Sequence, residues 1–360
     1  MIRTTYAVIH LEAIAHNVAQ VRLAAPKSKI MAVIKANAYG HGLQRVAHAL
    51  EPFVEGFAVA RVQEGVRLRK AGIKQRIVVL EGFTHIQELN DLCHYQLEAS
   101  IHSAHQLTIL NSQTAPELLT AWVKIDTGMN RLGFKPPEIA DVYEQLTHSA
   151  AVKKPINFMT HFANADDKND PKTLDQIRLF NDLTAEYSGE KSMANSAGIL
   201  AWKAAQTDWV RAGIMLYGIS PFAEISGIDL GLKPLMSLHS RLIAVRDVDA
   251  GETVGYNGSW RSSHATKIGV IAIGYGDGYP RYAKNGTPVL INGSLVPLVG
   301  RVSMDMITVD LGPYSSAQAG DSVTLWGEHL PIETIAQYAD TIAYTLVCGV
   351  TPRVDILESS

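Results

Sequence analysis

The sequence predicts an α/β protein in two parts, an N-terminal (β/α)8 TIM-type barrel over residues 1–234 and a C-terminal mainly-β domain over 235–360. Three observations carry this reading. Short apolar runs alternate with helical patterns through the first two-thirds of the chain. The runs are nearly unbroken in apolar character, as parallel strands covered on both faces require. After about Pro234 the texture changes to short β runs punctuated by Gly, Pro and Asp.

In order, Leu11, Ile14, Ala15, Val18 and Val21 recur at helical spacing over Leu11–Ala25, and Ile30–Ala36 is the first barrel strand. The other seven are Gly56–Ala60, Arg76–Leu80, Leu97–Ile101, Ala121–Asp126, Ile156–His161, Met193–Ser196 and Trp209–Ile214. Helix-favouring segments separate most of them: Val62–Lys70, Ala104–Asn111, Pro137–His148 and Leu174–Tyr187. Eight such units in roughly 200–250 residues suit a closed barrel better than an open sheet. Beyond Pro234 the β runs are SLHSRLIAV, KIGVIAI, TPVLING, SLVPLVG, MITVDLG and SVTLWG, with Pro331–Tyr338 as the one helical stretch. Tyr6–His10 is a leading strand with no barrel assignment, and pairing with the C-terminal domain is an open alternative.

Bulk properties narrow the function. With 360 residues, 47% hydrophobic and 19% charged, the chain is globular, and a net charge of −3 gives no basic excess for a nucleic acid. A small-molecule partner is expected. Two cysteines, Cys93 and Cys348, make no disulfide framework, and no export signal or membrane span is visible, so a cytoplasmic location is expected.

Barrel enzymes place their chemistry at the C-terminal ends of strands. Lys35 ends the first strand in AVIKANAYGHG. A partly desolvated lysine has a lowered pKa and a free amine for Schiff-base chemistry, although a snorkelling lysine explains the motif alone equally well. Arg131 follows the fifth strand in KIDTGMNRLGF, His161 closes the sixth in MTHFANAD, and Ser196 closes the seventh in MANSAG. Arg211, Gly213 and Ile214 lie at the eighth in WVRAGIMLYG. The loops after strands seven and eight commonly bind phosphate, which suits a serine beside a Gly-bearing turn. Each residue alone has a bland explanation; their joint placement on one rim favours a site. His94, His102, His105 and Cys93 lack zinc spacing, GYGDG lacks the context of a nucleotide loop, and no metal is expected.

The series AVIKANAYGHG, KIDTGMNRLGF, THFANAD, VRAGIMLYG, VGYNGSW, IGYGDGYPR and GRVSMDMITVDLG resembles, in order, the motifs of fold-type III alanine racemases, over nearly the whole chain. The resemblance implies pyridoxal 5′-phosphate (PLP) as cofactor and L- and D-alanine as substrates, with D-alanine supplied to peptidoglycan. It makes Lys35 the covalent anchor and one catalytic base, and Tyr256 the second base on the opposite face of the substrate carbon. Tyr39, Ser196, Gly213, Ile214 and Tyr344 would hold the phosphate. His161 would pack on the ring, Arg131 contact its phenolic oxygen and Arg211 its pyridine nitrogen. A permanently charged arginine there leaves that nitrogen unprotonated and the ring a weaker electron sink, which disfavours transamination. Tyr256 needs a cationic or hydrogen-bonding neighbour to act as a base, and the resemblance implies His161 backed by Arg211. It further implies a homodimer with shared sites, the C-terminal domain lending Tyr256, Tyr275, Met304 and Asp305 to its partner, with Arg131, Met304, Asp305 and Tyr275 facing the substrate. Lys124 matches a lysine carbamylated in some members. Two alternatives remain. A basic-amino-acid decarboxylase of similar architecture would have an acid at the pyridine nitrogen and lack VGYNGSW, and a non-catalytic PLP-homeostasis protein would be a lone barrel.

Overall fold

The computed structural model describes residues 4–111 and 118–359. Its first strand, β1 (Tyr6–His10), lies outside the barrel. The barrel is built from β2 (Lys29–Val33), β3 (Gly56–Val59), β4 (Arg76–Val79), β5 (Glu98–Ile101), β6 (Thr120–Lys124), β7 (Asn157–Met159), β8 (Lys191–Ser192) and β9 (Trp209–Val210). All eight are parallel and pair in sequence order, and β9 closes on β2 through Lys29 opposite Trp209 and Ile30 opposite Val210. Every residue of β3 (Gly56–Val59) is buried, which is why this strand reads as an unbroken apolar run; β5 is equally buried although it carries Glu98 and Ser100. Val62–Lys70 and Ala104–Asn111 are helices with the expected bounds.

Strand seven differs from expectation. Met193–Ser196 was expected to pair, but β8 ends at Ser192 and Ser196 opens a helix, Ser196–Ala201. Asn195 is the cause: its Oδ1 accepts the Gly198 N–H at 2.9 Å, a helix N-cap that stops the extended chain.

The N-terminal mouth of the barrel is closed by charge. Arg76 donates to Glu98 at 2.5 and 2.9 Å and to Glu190 at 2.5 Å, and Lys29 reaches Glu190 at 2.7 Å. The Arg76 guanidinium lies 4.9 Å from the Trp209 ring centroid and 5.8 Å from that of Trp122, whose indole N–H donates to Glu98 at 2.7 Å. These groups belong to the starts of β2, β4, β5 and β9, the residue before β8 and the interior of β6, so chemistry is left to the opposite mouth.

Contacts divide the chain into residues 15–216 and a second unit of 1–14 with 217–360. In the second unit the long β10 (Met236–Val248) is the hub, antiparallel to β1, which also runs parallel to the C-terminal strand. The remaining strands are β11 (Thr253–Val254), β12 (Trp260–Arg261), β13 (Thr266–Ile271), β14 (Pro288–Ile291), β15 (Ser294–Pro297), β16 (Ile307–Asp310), β17 (Ser322–Trp326) and β18 (Asp355–Ser359). The main sheet runs β15-β14-β17-β10-β1-β18, with β13 joining β10 to β16. Asn292 and Gly293, both at positive φ, make the two-residue turn between β14 and β15. Ile332–Tyr338 is helical as expected, and a second helix, Ala343–Gly349, is not foreseen by the sequence. Its Thr345, Val347 and Gly349 argue against a helix by propensity, but Ala343, Leu346 and Val347 share one buried face, and packing prevails.

Candidate active site

The rim at the C-terminal ends of the barrel strands begins with an unusual turn. After Lys35 the backbone enters the left-handed region at Ala36, Asn37, Ala38 and Tyr39, with φ of 53, 55, 53 and 51°. Left-handed helical backbone costs L-residues roughly 1–2 kcal/mol each, and runs of it are avoided. Here the turn keeps helix-type bonds, Ala38 N–H to Ile34 O at 2.9 Å and Gly40 N–H to Ala36 O at 3.1 Å. Side chains hold it as well. Asn37 Oδ1 accepts the Leu43 N–H at 3.0 Å, Glu64 Oε1 accepts the Ala36 N–H at 2.7 Å, and His41 Nδ1 lies 2.9 Å from Tyr39 O and 3.0 Å from Ala38 O. Strain of this kind concentrates at functional sites.

Tyr39 is buried, and its hydroxyl meets the last barrel loops. A Cβ at Gly213 would sit 3.0 Å from Tyr39 Oη and 3.8 Å from Ser196 Oγ, so glycine keeps a small space open among these groups. Ser196 Oγ accepts the Gly213 N–H at 3.0 Å and the Met215 N–H at 3.4 Å, and Ile214 opens a short 3-10 turn, Ile214–Tyr217. Two hydroxyls and a cluster of backbone N–H groups form a donor set suited to a phosphate.

Arg211 follows β9 and is buried. Its Nη1 donates to Ser192 O at 2.9 Å and Ser192 Oγ at 2.8 Å. Its Nη2 donates to Thr160 O at 2.5 Å and Met193 O at 3.0 Å, and lies 3.3 Å from His161 Nδ1. Among the described residues nothing accepts from its Nε, which fits a ring-nitrogen acceptor. Burial lowers its pKa to about 10, still well above neutral.

Lys35, Lys124, Arg131 and Arg211 all act on His161, and the two arginines act on both lysines. Burial lowers the Lys35 pKa, assisted by Arg131 and Arg211 and opposed by Glu81 and Glu64. Lys124, the buried last residue of β6, is lowered to about 8 by burial and then by Arg211, Arg131 and Lys35. Burial, followed by these four cations, holds His161 well below its ordinary range. Arg131 itself is exposed. The excess of positive charge calls for an anionic ligand, and the site fits a phosphorylated cofactor with an amine-reactive carbonyl.

Some residues that shape the rim escaped the sequence reading. Gln176, buried on the helix Lys172–Thr184, donates to Thr127 Oγ1 at 3.0 Å and His161 O at 3.1 Å, and accepts the Ala163 N–H at 3.0 Å, so it grips the His161 loop from both sides. The available signal was a glutamine on that helix's buried stripe with Thr173, Ile177 and Phe180. His102 and His105, set aside as metal ligands, bond to the carbonyls of Glu81 and Thr84, each at 3.0 Å.

The other predicted site residues belong to the second unit. Tyr256 stands in a 3-10 turn, Tyr256–Gly258, with 66% of its surface exposed. The Tyr275 N–H donates to Ser303 O at 3.0 Å and the Gly276 N–H to Met304 O at 2.9 Å, which joins Tyr275, Met304 and Asp305 in one exposed patch. Arg353 ties this patch down through Asp305 at 2.8 Å and Asp277 at 3.4 Å. Tyr344 is half-buried on the helix Ala343–Gly349.

A (β/α)8 barrel with a desolvated lysine, an anion cradle and a buried arginine on one rim defines an enzyme class that works on amines through a phosphorylated cofactor. The alanine racemase N-terminal domain model matches residues 9–221 and the alanine racemase C-terminal domain model matches 235–357. The chain belongs to the alanine racemase family, PLP-dependent isomerases of fold-type III. An alanine racemase from Shewanella sediminis is 51% identical over 97% of both chains. The crystal structure of the biosynthetic alanine racemase from Pseudomonas aeruginosa superposes with a TM-score of 0.97 at 40% identity, covering 100% of each chain. That of the Bartonella henselae alanine racemase, with covalently bound pyridoxal phosphate, gives 0.90 at 28% identity, covering 99% of this chain and 100% of that one. No described helix is long and apolar enough to cross a membrane.

Proposed function

We propose that this chain interconverts L- and D-alanine with PLP, and that Lys35 and Tyr256 are its two proton-handling groups. The observation that carries the reading is the convergence of Lys35, Lys124, Arg131 and Arg211 on His161 beside the Tyr39–Ser196–Gly213 cradle.

PLP, when bound, supplies an electron sink that makes the Cα–H bond of an attached amino acid acidic. Lys35 Nζ holds the cofactor and handles the proton on one face of that carbon; its lowered pKa keeps the amine available. Tyr39, Ser196, the backbone at Gly213 and Ile214, and Tyr344 would hold the phosphate. Arg211 Nε–H would face the pyridine nitrogen, and because a guanidinium does not readily give up its proton, that nitrogen would stay unprotonated and the ring's pull limited. His161 would pack on the ring and Arg131 would contact the phenolic oxygen. Tyr256 Oη, lent by the second subunit of a homodimer, handles the proton on the opposite face. His161 helps it as a hydrogen-bond donor and not as a cation, since its neutral form is strongly favoured. Arg131, with Met304, Asp305 and Tyr275 of the partner, borders the alanine. The reading extends to a cytoplasmic enzyme supplying D-alanine for peptidoglycan.

The test is loss of optical rotation from L- and from D-alanine, with Lys35→Ala and Tyr256→Phe in parallel. Lys35→Ala loses the visible absorbance of bound cofactor along with turnover. Tyr256→Phe keeps the absorbance and loses most turnover. Carbon dioxide release from lysine, ornithine or diaminopimelate would favour the decarboxylase reading, and cofactor absorbance with no interconversion of alanine would favour the PLP-homeostasis protein.

A further inference from the structure

The strained turn that carries Lys35 and Tyr39 is tied from outside its own segment by a carboxylate. Glu64, in the first turn of the helix Val62–Lys70, uses both carboxylate oxygens. Oε1 accepts the Ala36 N–H at 2.7 Å, while Oε2 accepts the Ala60 N–H at 2.9 Å and the Arg61 N–H at 3.2 Å. The second set is ordinary helix capping. The first set is not, because it reaches 28 residues back to the first left-handed residue after Lys35.

We propose that Glu64 is a positioning residue, whose carboxylate clamps the left-handed turn Ala36–Tyr39 to the loop after β3 and thereby fixes Lys35 and Tyr39 on the rim. The inference rests on the racemase reading above. Two further facts support the geometry. Glu64 acts on the Lys35 ammonium in the direction opposite to Arg131 and Arg211, which places its charge near that amine. Ala36 is exposed, so its left-handed backbone is not enforced by core packing of its own side chain.

The chemistry of the carboxylate sets the experiment. Glutamine offers one acceptor oxygen and cannot serve Ala36 and the Ala60–Arg61 pair together. Glu64→Ala removes both ties. In the PLP-loaded protein, both variants are expected to lose kcat by roughly 10- to 100-fold, the scale of an ångström misplacement, with KM for alanine nearly constant. Amide exchange in peptides spanning residues 34–42 is expected to speed up by about tenfold or more as the turn opens locally. The decisive variant is Ala36→Gly in the Glu64→Ala background. Glycine adopts positive φ without steric cost, so it relieves the strain the clamp opposes and should recover a large part of the lost kcat and protection. A role limited to capping the helix Val62–Lys70 predicts no such rescue.

Glu64→Ala with kcat and 34–42 exchange close to the parent overturns the proposal, as does a loss that Ala36→Gly leaves untouched. Should Glu64→Ala fail to fold, Glu64→Gln with and without Ala36→Gly gives the same comparison. Should the parent itself not racemise alanine, the racemase reading fails, while the exchange data still decide whether the clamp exists.

Discussion

Arg211 Nη2 lies 3.3 Å from His161 Nδ1, and this contact fixes the state of the imidazole. A guanidinium is always a donor, so Nδ1 must accept and the ring proton must sit on Nε2. Burial and four surrounding cations favour the same neutral form. The rim therefore has a histidine with one N–H to offer and no charge, held by an arginine whose Nε has no acceptor among the described residues.

Arg211→Glu should convert the site from one that restrains the cofactor to one that strengthens its electron sink. Expected is several-fold more pyruvate released per racemisation event than with Arg211→Ala, measured with a coupled lactate dehydrogenase assay. The alanine variant controls for the hydrogen bonds to Ser192, Thr160 and Met193 that both substitutions lose. Equal pyruvate from the two variants would remove the argument for a neutral pyridine nitrogen.

Lys124 has the environment in which an amine takes up carbon dioxide. With a pKa of about 8, about half of it is the neutral amine at pH 8, against under about 1% for an unperturbed lysine. Carbamylation joins the neutral amine nitrogen to CO2 and releases one proton, or two counted from the ammonium form, and so places an anion among Arg211, Arg131 and Lys35. In 13C-bicarbonate a carbamate carbon resonance is expected that grows as pH rises through about 8, vanishes on acidification and is missing in Lys124→Ala. Its absence from the parent at pH 8 would leave Lys124 as a plain buried amine.

Much of this site was legible because barrel topology maps sequence order onto a ring. A polar residue just past each apolar run must land on one rim, and so Lys35, Arg131, His161, Ser196 and Arg211 could be grouped before any coordinates. Gln176 and Glu64 were not legible, because they act on backbone atoms of distant loops, and nothing in a helical stripe or a capping position says which loop lies within reach. The left-handed run after Lys35 was hidden for a related reason: KANAYG contains good helix formers, and the handedness is set by tertiary ties and not by propensity. The helix at Ala343 was lost to its β-branched residues.

The ion cluster at the opposite mouth should matter for stability and not for turnover. Burial opposes ionisation of Glu190, but hydrogen bonds from Lys29 and Arg76 outweigh it and hold the carboxylate below its ordinary range. A depressed carboxylate contributes stability above its unfolded pKa, near 4.5, and that contribution is lost as pH falls through the folded value. Arg76→Met takes the shared cation from two partly buried carboxylates, leaving Glu190 only Lys29 and Glu98 only the Trp122 indole, at a cost on the order of 3 kcal/mol. The expected result is an unfolding temperature lowered by several degrees at pH 7, a gap that narrows below about pH 4.5, and kcat at 25 °C unchanged. A gap independent of pH would mean that lost packing on Trp122 and Trp209, and not charge, explains the effect.

Tyr279 supports an expectation of the opposite sign. Its ring is buried in the second unit, stacked on Trp326 with centroids 6.4 Å apart and planes at 13°. Among the described residues, neither the Tyr279 hydroxyl nor the Trp326 indole N–H has a hydrogen-bond partner, and burial pushes the phenol pKa up. A buried, unsatisfied hydroxyl costs about 1–3 kcal/mol, and phenylalanine keeps the ring while removing it. Most core substitutions destabilise by about 1 kcal/mol, so Tyr279→Phe stands out in being expected to leave the urea midpoint unchanged or raise it. A midpoint shift that corresponds to about 1 kcal/mol or more of lost stability would mean that the hydroxyl finds an acceptor in solution, since a hydroxyl contributes that much only when it is paired.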